Sequence, residues 1–210
     1  MYTPSSFRVD DLPTLHAFME RHSFATLCSS TDGELEATHL PLLLDRENGS
    51  HGRLVGHMAR PNGQWKRAAG SRVMAIFAGP HAYVSPTWYE SNETVPTWNY
   101  TAVHAYGVLT LIEDEARLHE IVRRTVDVYE RSMPRPWSMD DASPQYLDKM
   151  LLGIVGFEVV IDRIEGKWKL NQNHPVERRE KVLRALNATG RLNDAAVAAL
   201  MRQQVDSELT

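Results

Sequence analysis

The sequence contains a single cysteine, Cys28, in 210 residues, and this excludes a fold held by internal disulfide bonds. Cys28 lies in the apolar run FATLC, where we expect a core residue and not a nucleophile. A chain without a disulfide framework is typical of the cytoplasm, which is the predicted location. The nine histidines are scattered, and no close set of His, Cys and Asp residues has the spacing of a zinc site. The sequence therefore predicts no metal centre.

Long apolar runs are also missing. No stretch approaches the roughly 20 apolar residues that a membrane-spanning helix needs. The opening residues, MYTPSSFRVDD, have no basic region followed by an apolar one, so we expect no secretory signal. Hydrophobic residues make up 42% and charged residues 24% of the chain, which is ordinary for a globular protein with a sizeable core. The composition therefore predicts no membrane association.

An excess of positive charge is absent as well, since the formal net charge is −4. Duplex DNA is bound mainly through Lys and Arg side chains that neutralise phosphates, so this charge argues against a broad nucleic-acid surface. A local basic patch stays open as an alternative. A Gly-rich phosphate loop and a convincing nucleophile triad are both missing, so no catalytic residue is predicted.

Aromatic residues are concentrated between Gly79 and Gly107. This segment holds four of the seven tyrosines and two of the five tryptophans, interleaved with Pro80, Pro86 and Pro96. Aromatic side chains on short strands suit either a wall for a flat ligand or a tight subunit contact. Both interpretations remain open from the residues alone.

Short apolar strands separated by turn residues dominate the pattern of the chain. Pro41 predicts a sheet edge or a bulge, and Gly79-Pro80 predicts the turn of a hairpin. The predicted strands are residues 24–29, 35–44, 54–59, 73–78, 82–85, 99–112 and 154–164.

Helix-capping residues mark the predicted helices. Asp10 or Asp11 begins a helix that reaches His22, Asn62 begins a brief one, and Asp114 begins one that continues through Val128. Residues 134–144 predict a loop and residues 146–152 a further helix. We therefore predict a mainly β protein of the α+β class, an antiparallel split β-barrel with peripheral helices.

The C-terminal residues predict a helical hairpin, with helices at 177–186 and 195–201 and Gly190 in the turn. The arrangement resembles a helix-turn-helix that reads DNA, but many structural hairpins look the same. We favour the structural hairpin because the second helix is rich in alanine and carries only Arg202. Residues 1–174 are thus predicted to form the barrel domain, and residues 175–210 a helical appendage.

Six phrases that span nearly the whole chain, in a consistent order, together resemble the PaiB family, described as FMN-binding negative transcriptional regulators. The phrases are MYTPSSF, ATHLPLLLD, GHMAR, GPHAYVSPTWY, VPTWNYTAVHAYG and EGKWKLNQN. The resemblance implies an FMN-binding split barrel that is related to the pyridoxamine-phosphate oxidase fold and is usually dimeric. FMN is therefore the expected cofactor, and a second copy of the chain the expected partner.

FMN requires a flat slot for its ring system, polar groups at the ring edge, and cations or amides at its phosphate. The resemblance favours Arg60 as a bidentate phosphate contact, whereas spacing alone favours a solvated strand-end charge. Trp98-Asn99-Tyr100 is interpreted as a flavin-stacking segment or as a seal against a partner subunit. Two interpretations are open for the group Lys169, Gln172 and Asn173. The group forms either a family site after the final strand or a polar turn. The predicted cofactor-binding residues are Thr38, His39, His57, Arg60, Asn62, Trp98, Asn99, Tyr100, Lys169, Gln172 and Asn173.

Two alternatives remain at the histidines. Strand alternation places His57 and Ala59 on one side and Met58 and Arg60 on the other, unless a bulge or strand end intervenes. His39 and His57 are also candidates for an axial haem site on the same fold, although no spacing establishes that they approach each other.

The leading hypothesis is an FMN-binding homodimer that transfers a hydride or an electron at the flavin, which would make it an FMN-dependent oxidoreductase. No residue clearly supplies a general acid, so neither a substrate nor an enzymatic role is assigned. The second hypothesis is a negative transcriptional regulator, for which direct DNA contact has only weak support. Haem binding or haem degradation is the third hypothesis.

Overall fold

The structure is a computed structural model that describes residues 1–89 and 93–208, so residues 90–92 of the aromatic segment lie outside the described residues. The strands are β1 (Arg8–Val9), β2 (Phe24–Thr31), β3 (Glu34–Pro41), β4 (Leu43–Asp45), β5 (Arg53–Ala59), β6 (Arg72–Val84), β7 (Thr97–Ile112) and β8 (Ile154–Lys169). The helices are α1 (Leu12–Arg21), α2 (Gln64–Ala68), α3 (Glu115–Glu130), α4 (Pro144–Leu151), α5 (Val176–Ala188) and α6 (Leu192–Glu208). Within the described ranges, each helix is too short or too polar to cross a membrane.

The strands form one sheet in the order β3-β2-β6-β7-β8-β5-β4, with β1 added at β8. The strand pairs whose register is defined are antiparallel: Leu27 of β2 lies opposite Thr38 of β3 and, on its other side, opposite Ala75 of β6. His57 of β5 lies opposite Gly156 of β8. The predicted α+β class with an antiparallel, mainly β architecture is confirmed.

The hairpin predicted around Gly79-Pro80 is wrong, because β6 runs through both residues without a turn. Strand β2 pairs with β6 only as far as Ile76, so Pro80 needs no amide hydrogen for that neighbour. A Cβ atom at Gly79 would lie 2.2 Å from Thr101 Oγ1. Gly79 therefore permits a close approach of side chains, and it does not mark a turn.

The sequence around Pro41 behaves as an edge, as predicted, but the single strand expected at residues 35–44 is divided. Strand β3 ends at Pro41 as the outermost strand beside β2, and β4 pairs instead with β5. Between them, the amide of Leu42 donates to the carbonyl of Ser23 at 2.9 Å.

The helix caps predicted at Asp11 and Asp114 are confirmed, whereas α2, predicted to begin at Asn62, is capped by Gly63. The amide of Thr14 donates to Asp11 Oδ2 at 2.9 Å near the start of α1. Asp114 accepts from the amide of Arg117 at 2.8 Å and caps α3. Helix α4 begins at Pro144, earlier than predicted, because Ser143 is its cap. The region predicted as a loop also contains a short 3-10 turn at Met139–Asp141.

The chain divides into two compact units, and neither is a continuous piece of sequence. The first unit comprises Met1–Phe18, Ala78–Val103 and the chain from Glu165 onward; the second comprises Met19–Phe77 and His104–Ile164. Strands β6, β7 and β8 contribute residues to both units. Helices α5 and α6 belong to the first unit, and the division of the chain at residue 174 stays a prediction.

Each unit has its own buried apolar residues. Phe77, Phe157 and Leu54 are fully buried in the second unit. In the first unit, α5 and α6 bury the apolar stripes that face each other, which include Leu186 and Val197. The predicted pair of C-terminal helices is therefore present and packed as a hairpin.

Candidate functional site

In the first unit, two aromatic residues of β7 and two lysines of β8 form what we call the aromatic–cation face, defined by Trp98, Tyr100, Lys167 and Lys169. Lys167 is buried, and its Nζ donates to the carbonyl of Tyr2 at 3.0 Å. Side chains alternate along β7, so Trp98 and Tyr100 share one side while Asn99 faces the opposite, buried side. Lys167 and Lys169 share one side of β8 for the same reason. The Lys167 ammonium lies 5.1 Å from the centre of the Tyr100 ring.

Lys169 is held at the end of β8 by hydrogen bonds to β7. Its Nζ donates to the carbonyl of Trp98 at 2.7 Å and to Thr97 Oγ1. Burial and the charge of Lys167 lower the pKa of Lys169. An ammonium has three donors, so one remains for an anion, whose charge would offset the repulsion from Lys167.

Trp98 is the exposed ring of this surface. Its side chain is 53% exposed, and its ring lies 5.8 Å from that of Tyr83 and 6.2 Å from that of His81. Trp98 and these neighbouring rings form an exposed aromatic cluster, which suits contact with a flat ligand or with a partner. The backbone carbonyl of Trp98 accepts from the Lys169 ammonium, so a cation is anchored at the strand that carries the cluster.

Asn99 lies on the other side of β7. It is fully buried, its Nδ2 donates to the sulfur of Met201 at 3.4 Å, and its Oδ1 has no partner among the described residues. The predicted contact of Asn99 with a flavin edge stays a prediction, since its side chain points away from Trp98.

The turn after β8 is tied by its own side chains. Gln172 Oε1 accepts from the amide of Leu170 at 2.7 Å, and its Nε2 donates to the carbonyl of Trp168 at 2.5 Å. Asn171 adopts a φ of 65°, which an Asn tolerates well, and its Nδ2 donates to the Tyr89 hydroxyl at 2.8 Å. These are the bonds of a polar turn, and they leave Asn173 exposed at its tip. Ligand contacts of Gln172 and Asn173 stay predictions.

The sequence did not point to two basic side chains near this turn, Arg178 and His174. The Arg178 guanidinium lies 5.4 Å from the centre of the Tyr89 ring, and the His174 ring packs against the same tyrosine. Burial, together with the charges of Arg178 and Lys169, lowers the pKa of His174. His174 precedes the cap of α5 at Pro175, so helical spacing gave no signal for the pair.

In the second unit, the structure brings Thr38 and Asn62 together. Asn62 Nδ2 donates to Thr38 Oγ1 at 2.8 Å, and its Oδ1 accepts from the amide of Gln64 at 3.0 Å, where α2 begins. The pair links β3 to the start of α2. Both side chains are half-buried, so they provide polar groups at the surface.

The two candidate histidines differ in their surroundings. His39 is exposed on β3, and its Nδ1 lies 3.0 Å from Thr26 Oγ1. His57 is half-buried on β5, and burial lowers its pKa. His57 is therefore suited to accept or donate a hydrogen bond as a neutral ring.

Arg60 follows directly after the end of β5 at Ala59, so the strand end anticipated at this position does intervene. Its Nε donates to the carbonyl of Leu152 at 2.7 Å, and its Nη2 to that of Ile154 at 2.9 Å. Its own carbonyl accepts from Trp65 Nε1 at 3.0 Å. Two of the five guanidinium donors are thus used by backbone carbonyls, and the phosphate contact predicted for Arg60 stays a prediction.

Each unit, taken by itself, carries groups of the kinds that bind parts of a flavin. The first unit has flat rings and a partly desolvated ammonium, and the second has hydroxyl, amide, imidazole and guanidinium groups at β3, at β5 and directly after β5. These are the donor types that a tricyclic ring and a phosphate need. No group of three or more His, Cys, Asp or Glu residues in the part of the chain that the structure describes is arranged to hold a metal ion.

Comparison with known proteins gives consistent results. The profile of a family described as "Putative FMN-binding domain" matches residues 1–163. Over 210 residues, which is 100% of both chains, the sequence is 35% identical to a Bacillus subtilis protein named "Protease synthase and sporulation protein PAI 2".

Solved structures extend the comparison to the fold. The chain is similar to the flavocytochrome Anf3 from Azotobacter vinelandii, with a TM-score of 0.59, 17% identity, and coverage of 77% of this chain and 69% of that one. It is also similar to the FAD and heme binding protein from Mycobacterium smegmatis, with a TM-score of 0.56, 14% identity, and coverage of 82% and 78%. These likenesses concern the fold, and the predicted split-barrel class is confirmed.

Proposed function

This chain belongs to the family of FMN-binding domains whose profile its residues 1–163 match, and we propose that it is a PaiB-type flavoprotein that acts as a homodimer. The observation that carries the proposal is the exposed Trp98 ring on β7 together with the Lys169 ammonium on β8, which donates to the backbone carbonyl of the same tryptophan. A flat apolar surface next to a cation suits a ligand that combines an aromatic ring system with a phosphate.

The chain's own residues have distinct roles in this proposal. Trp98 and Tyr100 stack on the ring system, and Lys169 directs its remaining donor to an anionic group of the flavin. Bound FMN would supply hydride or electron transfer. The hydrogen bonds from Lys169 to β7 hold the ammonium in place before the ligand arrives, which lowers the cost of ordering it.

FMN titration of the purified protein tests the assignment. Lys169→Gln should weaken FMN binding about tenfold or more, because a charge-assisted hydrogen bond contributes about 1.5–3 kcal/mol. Lys149→Gln, at an exposed lysine of α4, removes the same charge elsewhere and should leave the affinity unchanged. Trp98→Leu keeps an apolar side chain but removes the flat ring, so it should also weaken binding.

Thermal unfolding provides a second measurement. FMN at about 100 times its Kd should stabilise the folded protein by about 2.7 kcal/mol. No stabilisation at saturating FMN, or a haem Soret band in place of a flavin spectrum in the purified protein, would contradict the proposal. If haem is present, loss of the Soret band in His39→Ala or His57→Ala would identify the histidine that binds the haem iron.

Exposed apolar residues of the first unit support the homodimer. Leu192 at the start of α6 is 91% exposed, and Tyr83 and Trp98 are also exposed. All three line one open cavity of about 610 Å³. Exposed apolar surface of this kind marks a contact with another protein.

Sedimentation of paired variants tests the dimer. Leu192→Glu should shift the protein to a monomer, while Leu35→Glu, at a leucine of the second unit that is 82% exposed, should not. A wild-type protein that sediments as a monomer at micromolar concentration would refute the homodimer.

Negative transcriptional regulation is the cellular role that the PaiB resemblance implies, and we propose that it does not depend on DNA contact through α6. Arg202, the only cation of that helix, is paired with Glu180 through two hydrogen bonds of 2.5 and 2.8 Å. Binding of wild-type protein to duplex DNA at low salt that is lost in Arg202→Gln would overturn this view. The cytoplasmic location stays a prediction from the single cysteine.

A further inference from the structure

A second cavity lies in the second unit, away from the groups assigned to FMN except Arg60. Its volume is about 650 Å³, and it lies among the end of β7, the first turn of α3, the end of α4 and the start of β8. We call it the α3–α4 pocket. Ile112, Leu118 and Val155 are among the apolar residues that line it, and Trp65 adds an indole ring. Cavities of this size bury most of a small organic ligand.

Carboxylates dominate the charge of the pocket. Four of them line it: Glu113, Asp114, Glu115 and Asp148. Asp114 caps α3 through one oxygen. Among residues 1–89 and 93–208, Glu113, Glu115 and Asp148 form no ion pair. Three carboxylates are therefore available to an incoming cation.

The opposing charge in the pocket is small. Arg60 is the only Arg or Lys among the described lining residues, and its Nε and Nη2 already donate to carbonyls at the end of α4. The Trp65 ring is held by its bond to the Arg60 carbonyl, and the Lys66 ammonium lies 5.2 Å from the centre of that ring. The Lys66 ammonium already occupies the Trp65 ring and adds a second positive charge beside the pocket, so the charge of a cationic ligand falls to the carboxylates.

We propose that the α3–α4 pocket binds a small organic cation with an apolar or aromatic body. The apolar lining takes the body of the ligand, and the free carboxylates take its charge. An anionic ligand such as a flavin phosphate would meet four carboxylates here, so the pocket is distinct in chemistry from the aromatic–cation face. The proposal does not depend on the FMN assignment.

Calorimetry with three probes of one shape tests the charge preference. The probes are 4-phenylbutylammonium, the neutral 4-phenylbutanol and the anionic 4-phenylbutanoate. At low salt the ammonium probe should bind at least tenfold more tightly than the alcohol, and the carboxylate probe should bind most weakly. The apolar contact is the same for all three probes, whereas the carboxylates of the pocket attract the ammonium and repel the carboxylate. Added salt should narrow the difference.

Matched variants locate the binding. Glu113→Gln combined with Asp148→Asn should weaken the ammonium probe about tenfold and leave the alcohol unchanged. Glu34→Gln combined with Glu47→Gln changes the net charge equally at exposed positions outside the pocket and should have no effect. Ala116→Trp, at an exposed position of α3 that lines the pocket, should abolish binding of both probes. Unfolding curves of all variants check that each is folded.

Each contrary outcome overturns the proposal. Equal or tighter binding of the carboxylate probe would assign the pocket to anions, and displacement of the ammonium probe by FMN would assign it to the flavin. Absence of binding by every probe, or unchanged affinity in the Glu113–Asp148 variant, would remove the site. A wild-type dimer that Ala116→Trp converts to a monomer would assign the surface to a second copy of the chain.

Discussion

Replacement of Asp45 by Asn should destabilise the protein strongly, because this carboxylate holds together several arginines of the second unit. Asp45 Oδ1 accepts from Arg124 at 2.5 Å and Oδ2 from Arg53 at 3.0 Å, while Arg117 lies 3.7 Å away. The Asp45 side chain is only 13% exposed. Asn keeps the shape but leaves three guanidinium groups around a neutral amide.

The magnitude follows from the bonds that change. A hydrogen bond to a charged group contributes about 1.5–3 kcal/mol, and Asn retains one neutral acceptor in place of two charged ones. We therefore expect a loss of about 2–4 kcal/mol in the free energy of unfolding. For a chain of this length that corresponds to a fall of about 5–12 °C in Tm.

An exposed pair of the same unit serves as the control. Asp162 accepts two hydrogen bonds from Arg72, at 2.6 and 2.8 Å, but their side chains are 46% and 53% exposed. Asp162→Asn should cost less than about 1 kcal/mol, because exposed ion pairs contribute little. Urea unfolding of the two variants measures both values. A loss for Asp45→Asn no larger than that for Asp162→Asn would refute the reasoning.

The same carboxylate predicts a dependence on pH. Burial raises the pKa of Asp45, but hydrogen bonds from Arg124 and Arg53 outweigh burial, and the net direction is below its ordinary value of 3.8. The stability from the ionised group is thus complete above about pH 4 and is lost as the pH falls through the lowered folded value. The difference between wild type and Asp45→Asn should therefore be constant from pH 6 to 8 and shrink in acid.

Three further predictions concern other sites. Gly107→Ala should destabilise the protein by several kcal/mol in urea unfolding, since the new Cβ would lie 2.2 Å from the carbonyl oxygen of Val160; wild-type stability would show that the strands separate easily. Asn99→Leu should leave the free energy of unfolding unchanged or raise it by about 1 kcal/mol. The variant removes a buried amide oxygen that has no partner among the described residues, and it loses only a weak hydrogen bond to Met201. A decrease of more than about 2 kcal/mol would indicate that the oxygen has a partner. His174 should titrate below its ordinary pKa of 6.5 in NMR, so its neutral form contributes stability at pH 7 that declines as the pH falls below 6.5, and His174→Gln should remove that decline.

The sequence predicted most elements because their signals are local. Asp114 precedes an apolar stripe with helical spacing, and it caps α3 in the structure. The polar-apolar alternation of residues 99–112 likewise marks β7. Both signals act within a few residues and do not require knowledge of partners in space.

The wrong secondary-structure predictions arose where contacts with residues distant in sequence determine the local structure. Gly79-Pro80 has the composition of a turn, but both residues lie within β6. Pro80 is tolerated because β2 does not pair with β6 beyond Ile76, and Gly79 is needed because a Cβ atom there would collide with the Thr101 side chain. Pro41 marked an edge or a bulge, but nothing in the sequence showed that the chain leaves β2 there and pairs with β5 instead. Such changes depend on which strand lies alongside, and the sequence of a single segment does not contain that information.

The candidate site was predicted in part. Trp98 and Lys169 were chosen from separate phrases of the chain, and the structure joins them by a hydrogen bond across two strands. Lys167 and Arg178 were not chosen. Their importance arises from the rings of Tyr100 and Tyr89, which are distant in sequence and close only after folding.

The interleaving of the two units along the chain has a consequence for how this protein can be altered by gene fusion. Each unit is encoded by several separated stretches of the gene, since the chain passes from one to the other at residues 18, 77, 103 and 164. A single crossover between genes would therefore carry incomplete versions of both units, and exchange of one unit intact would need several simultaneous breakpoints. We therefore expect the two units to be inherited together and not exchanged separately.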